Sequence, residues 1–239
     1  MTNLDDLDFK NVTVIIPAKD EEPTIGNVID RVKKYCGEVI VVDGHSKDKT
    51  SEVSESHGAT VVKDRMRGKG DAIRCSIKHI KTDIAVFIDA DGSHDPTDIP
   101  HLIKPILEDK YDHVSGSRLL GGSSELHGGF DEFLRLTGSS FITACINWRY
   151  KVRISESQNG FRAIKTDVLR KLKLKEDITT IEQEMIIKTI NQGYRLGEVP
   201  AHEYERKAGV SKIRLSRVWL RYGWTLFYYL LTPKKKTRT

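Results

Sequence analysis

The chain has 239 residues, of which 38% are hydrophobic and 31% charged. That is enough apolar material for a real core and too much for global disorder, and the length suits one α/β domain with some elaboration. Cys36, Cys75 and Cys145 are odd in number, far apart and form no CxxC pair, which argues against a disulfide scaffold or structural zinc and for a reducing compartment. The formal charge of +5 conceals an asymmetry: ten Lys or Arg and no acid lie from Arg206 onward, leaving 29 basic against 34 acidic residues in the body.

In chain order, Val12-Thr-Val-Ile-Ile-Pro17 reads as a buried strand, and Pro23 opens a helix whose Ile25, Val28, Ile29 and Val32 recur at helical spacing. Glu38-Val-Ile-Val-Val-Asp43 is a second strand ending in an acid, and Ser46 is placed to cap a helix after it. Ala59-Thr-Val-Val is a third strand, and Gly68-Lys-Gly70 starts a helix running to about Ile80. Asp83-Ile-Ala-Val-Phe-Ile-Asp89 is a fourth strand, again ending in an acid, followed by a helix over 98–108 and a strand over 112–117. Strands alternating with helices predict a mainly parallel sheet with helices on both faces.

Beyond Arg118 the pattern changes. The Gly- and Ser-rich 121–129 reads as a loop, and helices are expected over 130–150, near 166–172 and over 180–192. A strand over 194–199 precedes the basic segment. No linker separates two independent domains, so we expect a catalytic domain over 1–213 and an amphipathic, basic segment over 214–239.

In an open parallel sheet, ligands bind beyond the carboxyl ends of the strands. Asp43, Asp89 and Asp91 all fall there. Two aspartates at i and i+2 in a glycine-containing turn offer hard oxygen donors for Mg2+ or Mn2+, with a diphosphate supplying the remaining ligands. Asp89 follows a run that should be buried, so its charge needs a reason. Lys69, Arg74 and Arg118 are nearby candidates for phosphate partners. The eight histidines show no HxxxH or HExxH spacing, so zinc is not expected, and His45 and His94 read as bystanders. Arg162 reads equally as a phosphate ligand or a structural ion-pair partner. Glu182 and Glu184 read as a solvated helix face, with a functional acid the alternative for Glu184.

Six motifs occur in order: Pro17-Ala-Lys-Asp-Glu-Glu22, Val41-Val-Asp-Gly-His-Ser-Lys-Asp-Lys-Thr50, Gly68-Lys-Gly70, Asp89-Ala-Asp91, Gly116-Ser-Arg118 and Asn159-Gly-Phe-Arg162. Together they resemble the inverting GT-A glycosyltransferases of family 2, most closely the dolichol-phosphate mannose synthase and archaeal dolichyl-phosphate sugar transferase branch, over about residues 10 to 213. The resemblance implies a GT-A fold and transfer of a hexose or N-acetylhexosamine from a UDP- or GDP-sugar to dolichyl or another polyprenyl phosphate. It places Pro17, Ala18, Asp20, Glu21 and Asp43 at the nucleoside, and Lys69, Asp89, Ala90, Asp91, Arg206 and Lys212 along the rest of the donor. Asp89 and Asp91 would hold Mg2+ or Mn2+. Ser93 stands where the family often has a glutamine ligand. Arg118 would bind phosphate, Arg135 and Ser139 match a pair used for the lipid phosphate, and Glu184 matches an acid near the acceptor. Glu156-Ser-Gln-Asn-Gly160 departs from the family's Asp-Pro-Thr-Ser-Gly, and Ala18-Lys19 stands where a tyrosine is common. These departures leave the donor sugar open, while Val42-Asp-Gly-His-Ser46 leans toward a UDP-sugar.

An acceptor phosphate is already an anion and needs no general base, so the expected work of the arginines (Arg118, Arg135, Arg162, Arg206) is to separate and screen two phosphate groups. No nucleophile–base pair is visible, which favours direct in-line displacement. A hydroxyl-acceptor transferase and a non-catalytic membrane- or nucleic-acid-binding protein are the alternatives. No apolar run approaches the length of a membrane span; the longest, Trp224 to Leu231, has eight residues. The acidic N-terminus does not read as a signal peptide. Over 215–231 the arginines come early and the apolar residues late, before Pro233-Lys-Lys-Lys236. That is the pattern of an interfacial helix on anionic lipid, and it predicts a protein peripheral to the cytoplasmic face of a membrane, with no nucleic-acid partner.

Overall fold

The computed structural model describes residue 4 and residues 7–124, 130–205 and 215–231, with backbone alone at 130–136 and 215–220. A seven-stranded sheet runs in the order β3-β2-β1-β4-β6-β5-β7. Its strands are β1 (Val12–Ala18), β2 (Glu38–Asp43), β3 (Thr60–Lys63), β4 (Ile84–Phe87), β5 (His113–Ser117), β6 (Arg162–Lys165) and β7 (Leu196–Pro200). Among the described strands β6 alone runs antiparallel, between β4 and β5. This strand is not predicted above. Only Ala163 and Ile164 lie between its charged ends, and a run that short becomes a strand because two neighbours offer their edges.

Each central strand is apolar on both sides, because helices cover both faces. Val12, Val14 and Ile16 of β1 join Val39 and Val41 of β2 and Val86 of β4 on one face. Helices α1 (Glu22–Val32) and α4 (Ile99–Leu107) cover that face through Ile25, Ile29, Leu102 and Ile103. Ile15, Ile40, Val42 and Phe87 alternate to the other face, under α3 (Lys69–Ser76), α7 (Thr166–Leu172) and α8 (Ile181–Asn191). Helix α2 (Thr50–Ser56) begins four residues after the expected cap, because Ser46 is taken up by other partners described below.

A third core joins α6 (Phe130–Tyr150), α8 and α9 (Leu215–Leu231). Helix α9 packs one face inward through Leu226 and Tyr229, and the Tyr150 hydroxyl donates to the Tyr229 carbonyl at 2.9 Å. Its outer stripe, Trp224, Phe227, Tyr228 and Leu231, stays exposed, as do Phe141 and Trp148 on α6. Among the described residues no helix is long and apolar enough to cross a membrane. A short helix, α5 (Arg118–Gly121), follows β5 directly and starts on the capping hydroxyl of Ser117.

Candidate active site

The loops after β1 and β2 are laced together. Ser46 Oγ accepts from the Asp20 amide at 2.8 Å, Thr50 Oγ1 from the Glu21 amide at 2.8 Å, and Asp48 from the Glu22 amide at 3.1 Å. In return Asp20 accepts from the Lys47 amide at 2.8 Å and Glu22 from the Lys49 amide at 3.0 Å. This lacing holds Asp20 and His45 at φ of 53° and 60°, left-handed values that cost a non-glycine residue energy. Pro17 and Ala18, at the end of β1, lead into Asp20 and Glu21, and the four form one preset rim where the resemblance would place a nucleoside.

Asp43 differs from expectation. It is fully buried rather than lining an opening. Its oxygens accept from the Ser46 amide and hydroxyl, the Ser51 hydroxyl and Lys63. Burial alone would raise its pKa, but Lys63, Ser46 and Ser51 outweigh it and bring the carboxyl down to about 2. Asp43 supports the rim instead of touching a ligand, and Ser46 serves Asp43 rather than the helix.

Across the sheet, β4 ends in the turn carrying Asp89, Ala90 and Asp91. Ala90 is buried, while Asp89 keeps 28% of its side chain exposed. Lys69 Nζ lies 2.6 Å from Asp89 Oδ1 and 2.7 Å from Glu182 Oε1. Burial by itself would lower the Lys69 pKa, but Asp89 and Glu182 raise it well above the usual lysine value, so the group stays an ammonium. Asp91 Oδ1 accepts from the Ser93 amide at 3.1 Å and its hydroxyl at 2.7 Å. Ser93 thus orients Asp91, and its hydroxyl proton is committed there. Among the described residues no three His, Cys, Asp or Glu side chains converge as a complete metal cage. Two hard carboxylates in one turn still fit a cation whose remaining ligands come from a diphosphate.

Glycines set how closely this turn can be approached. A Cβ on Gly160 would meet Lys69 Nζ at 2.6 Å and Asp89 Oδ2 at 2.8 Å. A Cβ on Gly70 would meet the carbonyls of Glu176 and Ile178 at 2.5 and 2.7 Å. These contacts predict different failures. Gly160→Ala pushes away the flexible end of Lys69, so donor KM should rise about tenfold with a stability loss of only about 1 kcal/mol. Gly70→Ala meets rigid backbone and should cost several times more stability in urea titrations. Equal stability losses would contradict this reading.

Arg118 opens α5 beside this turn. Its Nη1 donates to both oxygens of Glu203, at 3.0 and 2.8 Å, and its Nε stands 2.6 Å from Glu156 Oε1. Burial raises the Glu156 pKa, whereas Arg118 outweighs burial at Glu203 and lowers it. His94, stacked on Phe161 with ring centroids 5.1 Å apart, packs against the same region, and burial pushes its imidazole toward the neutral form.

Other expected site residues fall elsewhere. Arg162 is fully buried, donating to the carbonyls of Asn159 and Glu182, so it braces the loop before β6 against the first turn of α8. Arg74 ties α3 to the 175–177 segment through the Lys175 carbonyl and Asp177. Glu182 and Glu184 do not form a solvated face; both are buried. Glu184 is fully enclosed by structural partners. Its oxygens accept from the amides of Lys175 and Glu176 and from the Tyr229 hydroxyl at 2.6 Å, and Lys188 pairs with it at 2.6 Å. Ser139 is buried within α6. The Arg135 side chain, Arg206 and Lys212 lie outside the described residues. Sequence reading missed Glu156 and Glu203 as members of the cluster and singled out Glu182 without its partners Lys69 and Asp89; of the two missed, Glu156 carried a signal, inside the motif ending at Gly160.

The fold agrees with the comparisons. Residues 13–172 match the pattern of glycosyl transferase family 2. The chain belongs to that family and is a glycosyltransferase, with the mainly parallel, helix-flanked sheet of the GT-A fold. It is 30% identical over 224 residues to an uncharacterized Methanocaldococcus jannaschii protein, covering 89% of this chain and 90% of that one. It is 28% identical over 208 residues to a dolichyl-phosphate hexose transferase of Haloferax volcanii, covering 86% and 87%. It is also 28% identical over 254 residues to a UDP-N-acetylglucosamine–dolichyl-phosphate N-acetylglucosaminyltransferase of Methanococcus voltae, covering 94% and 96%. Among solved structures, glucosyl-3-phosphoglycerate synthase of Mycobacterium tuberculosis, crystallised with Mn2+, UDP and phosphoglyceric acid, superimposes with a TM-score of 0.73. That match has 23% identity and covers 94% of this chain and 80% of the other.

Proposed function

We propose that this enzyme transfers a hexose or N-acetylhexosamine from a nucleotide-diphosphate sugar, UDP- or GDP-linked, to dolichyl or another polyprenyl phosphate, with inversion. The observation that carries the reading is the carboxylate turn at the end of β4, with Lys69 paired to Asp89 and with His94, just past the turn, bridged to Glu203, the partner of Arg118. Relatives that cover nearly the whole chain and are named for dolichyl phosphate support the acceptor. Asp89 and Asp91 would hold Mg2+ or Mn2+, which when bound neutralises charge on the donor diphosphate. The 17–22 rim orients the nucleoside, Lys69 faces the diphosphate, and Arg118 faces the acceptor phosphate. One acceptor oxygen attacks C1 of the sugar while the bond from C1 to the diphosphate oxygen breaks. No proton has to be removed from the acceptor, so no general base is needed. A hydroxyl acceptor would need one, and Glu182, the carboxylate beside Asp89, is held in an ion pair with Lys69.

The exposed stripe of α9 fits a lipid surface. Trp and Tyr sit at membrane interfaces, and the sequence continues into Lys234, Lys235 and Lys236. Docked there, the site would meet a phosphate at the bilayer surface, on the cytoplasmic face in this reading.

Incubation with Mn2+, polyprenyl phosphate and a panel of labelled nucleotide sugars should give a labelled, mild-acid-labile lipid product of inverted configuration. Label passing only to a glycan hydroxyl, or retained configuration, would overturn the reading. In the same preparation, Trp224→Glu with Phe227→Glu should abolish co-sedimentation with anionic vesicles; unchanged binding would remove the lipid-surface assignment.

A further inference from the structure

We propose that Glu203 is a positioning residue whose carboxylate sits on Arg118 where an acceptor phosphate would sit, so that residue 203 sets the affinity for phosphate-monoester acceptors. The inference rests on the phosphate-acceptor reading above and deepens it.

Charge balance is the first argument. Glu156, buried to 2%, already pairs with the guanidinium and accepts from the Arg118 amide at 3.2 Å. One carboxylate neutralises one arginine, and Glu203 is a second. Among the described residues, Asp89, Asp91, Glu156, Glu182 and Glu203 face Lys69, Arg118 and Arg162. His94 adds little positive charge, being pushed toward neutrality by burial. Such a cluster repels a phosphate until a negative group leaves Arg118.

Geometry shows which group can leave. Glu156 is enclosed, whereas the Glu203 side chain is the more exposed of the two, at 11%. Its backbone is pinned independently of its carboxylate. The Glu203 amide donates to the Gly122 carbonyl at 3.1 Å and its carbonyl accepts from Ser124 at 2.7 Å, while the next amide, Tyr204, donates to the Ser93 carbonyl at 2.7 Å. The side chain can therefore rotate away with the chain trace unchanged. Among the described residues, Ser123 Oγ, at 3.1 Å, is the hydrogen-bond donor to the carboxylate besides Arg118. Its two oxygens on Nη1 offer the guanidinium what a phosphate offers, with less charge. A dianionic phosphate displaces it, and a neutral hydroxyl does not, so the pair discriminates between acceptor classes.

The test uses the full-length protein with Mn2+ and UDP. Binding of a soluble prenyl monophosphate, citronellyl phosphate, is measured by calorimetry, and KM for polyprenyl phosphate is measured in turnover. Glu203→Gln removes the charge and keeps the shape. It should bind citronellyl phosphate about tenfold tighter and lower acceptor KM in proportion, while donor KM and kcat stay within about threefold. A merely structural role would lower kcat or stability and leave acceptor KM where it was. Unchanged or weaker binding by folded E203Q overturns the inference. Should E203Q fail to fold, Ser123→Ala, which loosens the same carboxylate, should tighten binding about two- to threefold, and no tightening there overturns the inference as well. Tighter binding by E203Q without any turnover of polyprenyl phosphate would overturn the proposed function and leave the anion seat standing. Turnover by the native protein with no effect of E203Q would do the reverse.

Discussion

Asp91→Ala should abolish metal-dependent transfer, with kcat/KM down by about a thousandfold or more, and leave the fold intact. Asp91 lies beyond the end of β4, where its carboxylate accepts from the Ser93 amide and hydroxyl. Asp91→Asn keeps the Ser93 hydrogen bonds through its amide oxygen but has no negative charge to offer a cation. The pair therefore separates turn geometry from charge. Both variants should melt within a few degrees of the native protein, and both should lose the Mn2+ dependence of nucleotide-sugar turnover. Undiminished transfer by either variant would remove the metal assignment and with it the role given to Asp89.

The second large effect falls on stability. Glu184→Ala should cost about 3 to 5 kcal/mol in urea unfolding, because it strips a partner from the half-buried Lys188, two backbone amides and the Tyr229 hydroxyl at once. Those groups join α8, the 175–176 segment and α9. Burial and the adjacent carboxylate already raise the Tyr229 pKa far above the ordinary phenol value, so the hydroxyl remains a donor at all working pH. Tyr229→Phe removes only one of these bonds and should cost about 1 kcal/mol. Both variants, assayed cold where they remain folded, should keep transfer activity per folded molecule within a few fold. A catalytic loss in E184A without a loss of stability would restore the acceptor-side role that the resemblance implied.

Much of the architecture was readable in one dimension because its causes are local. β1, β2 and β4 are continuous apolar runs, which only a sheet covered on both faces requires, and α6 matches its expected bounds of 130–150. The Asp89–Asp91 turn was legible for the same reason: a charge set directly after a buried strand needs a purpose. β6 escaped notice because four residues with two charges carry no period of their own.

What the sequence determined by itself was the order of elements, the acids at the strand ends and the amphipathic character of the 215–231 helix, since each follows from neighbours in the chain. Only the tertiary structure decided which charges meet. Arg118 finds Glu156 and Glu203, Lys69 finds Glu182, and Glu184 finds Tyr229, each across 38 to 113 positions of sequence. A carboxylate becomes ligand, counterion or structural cap according to which donors surround it and how much water remains. Those surroundings are set by packing between distant segments, and no local pattern of residue types encodes them.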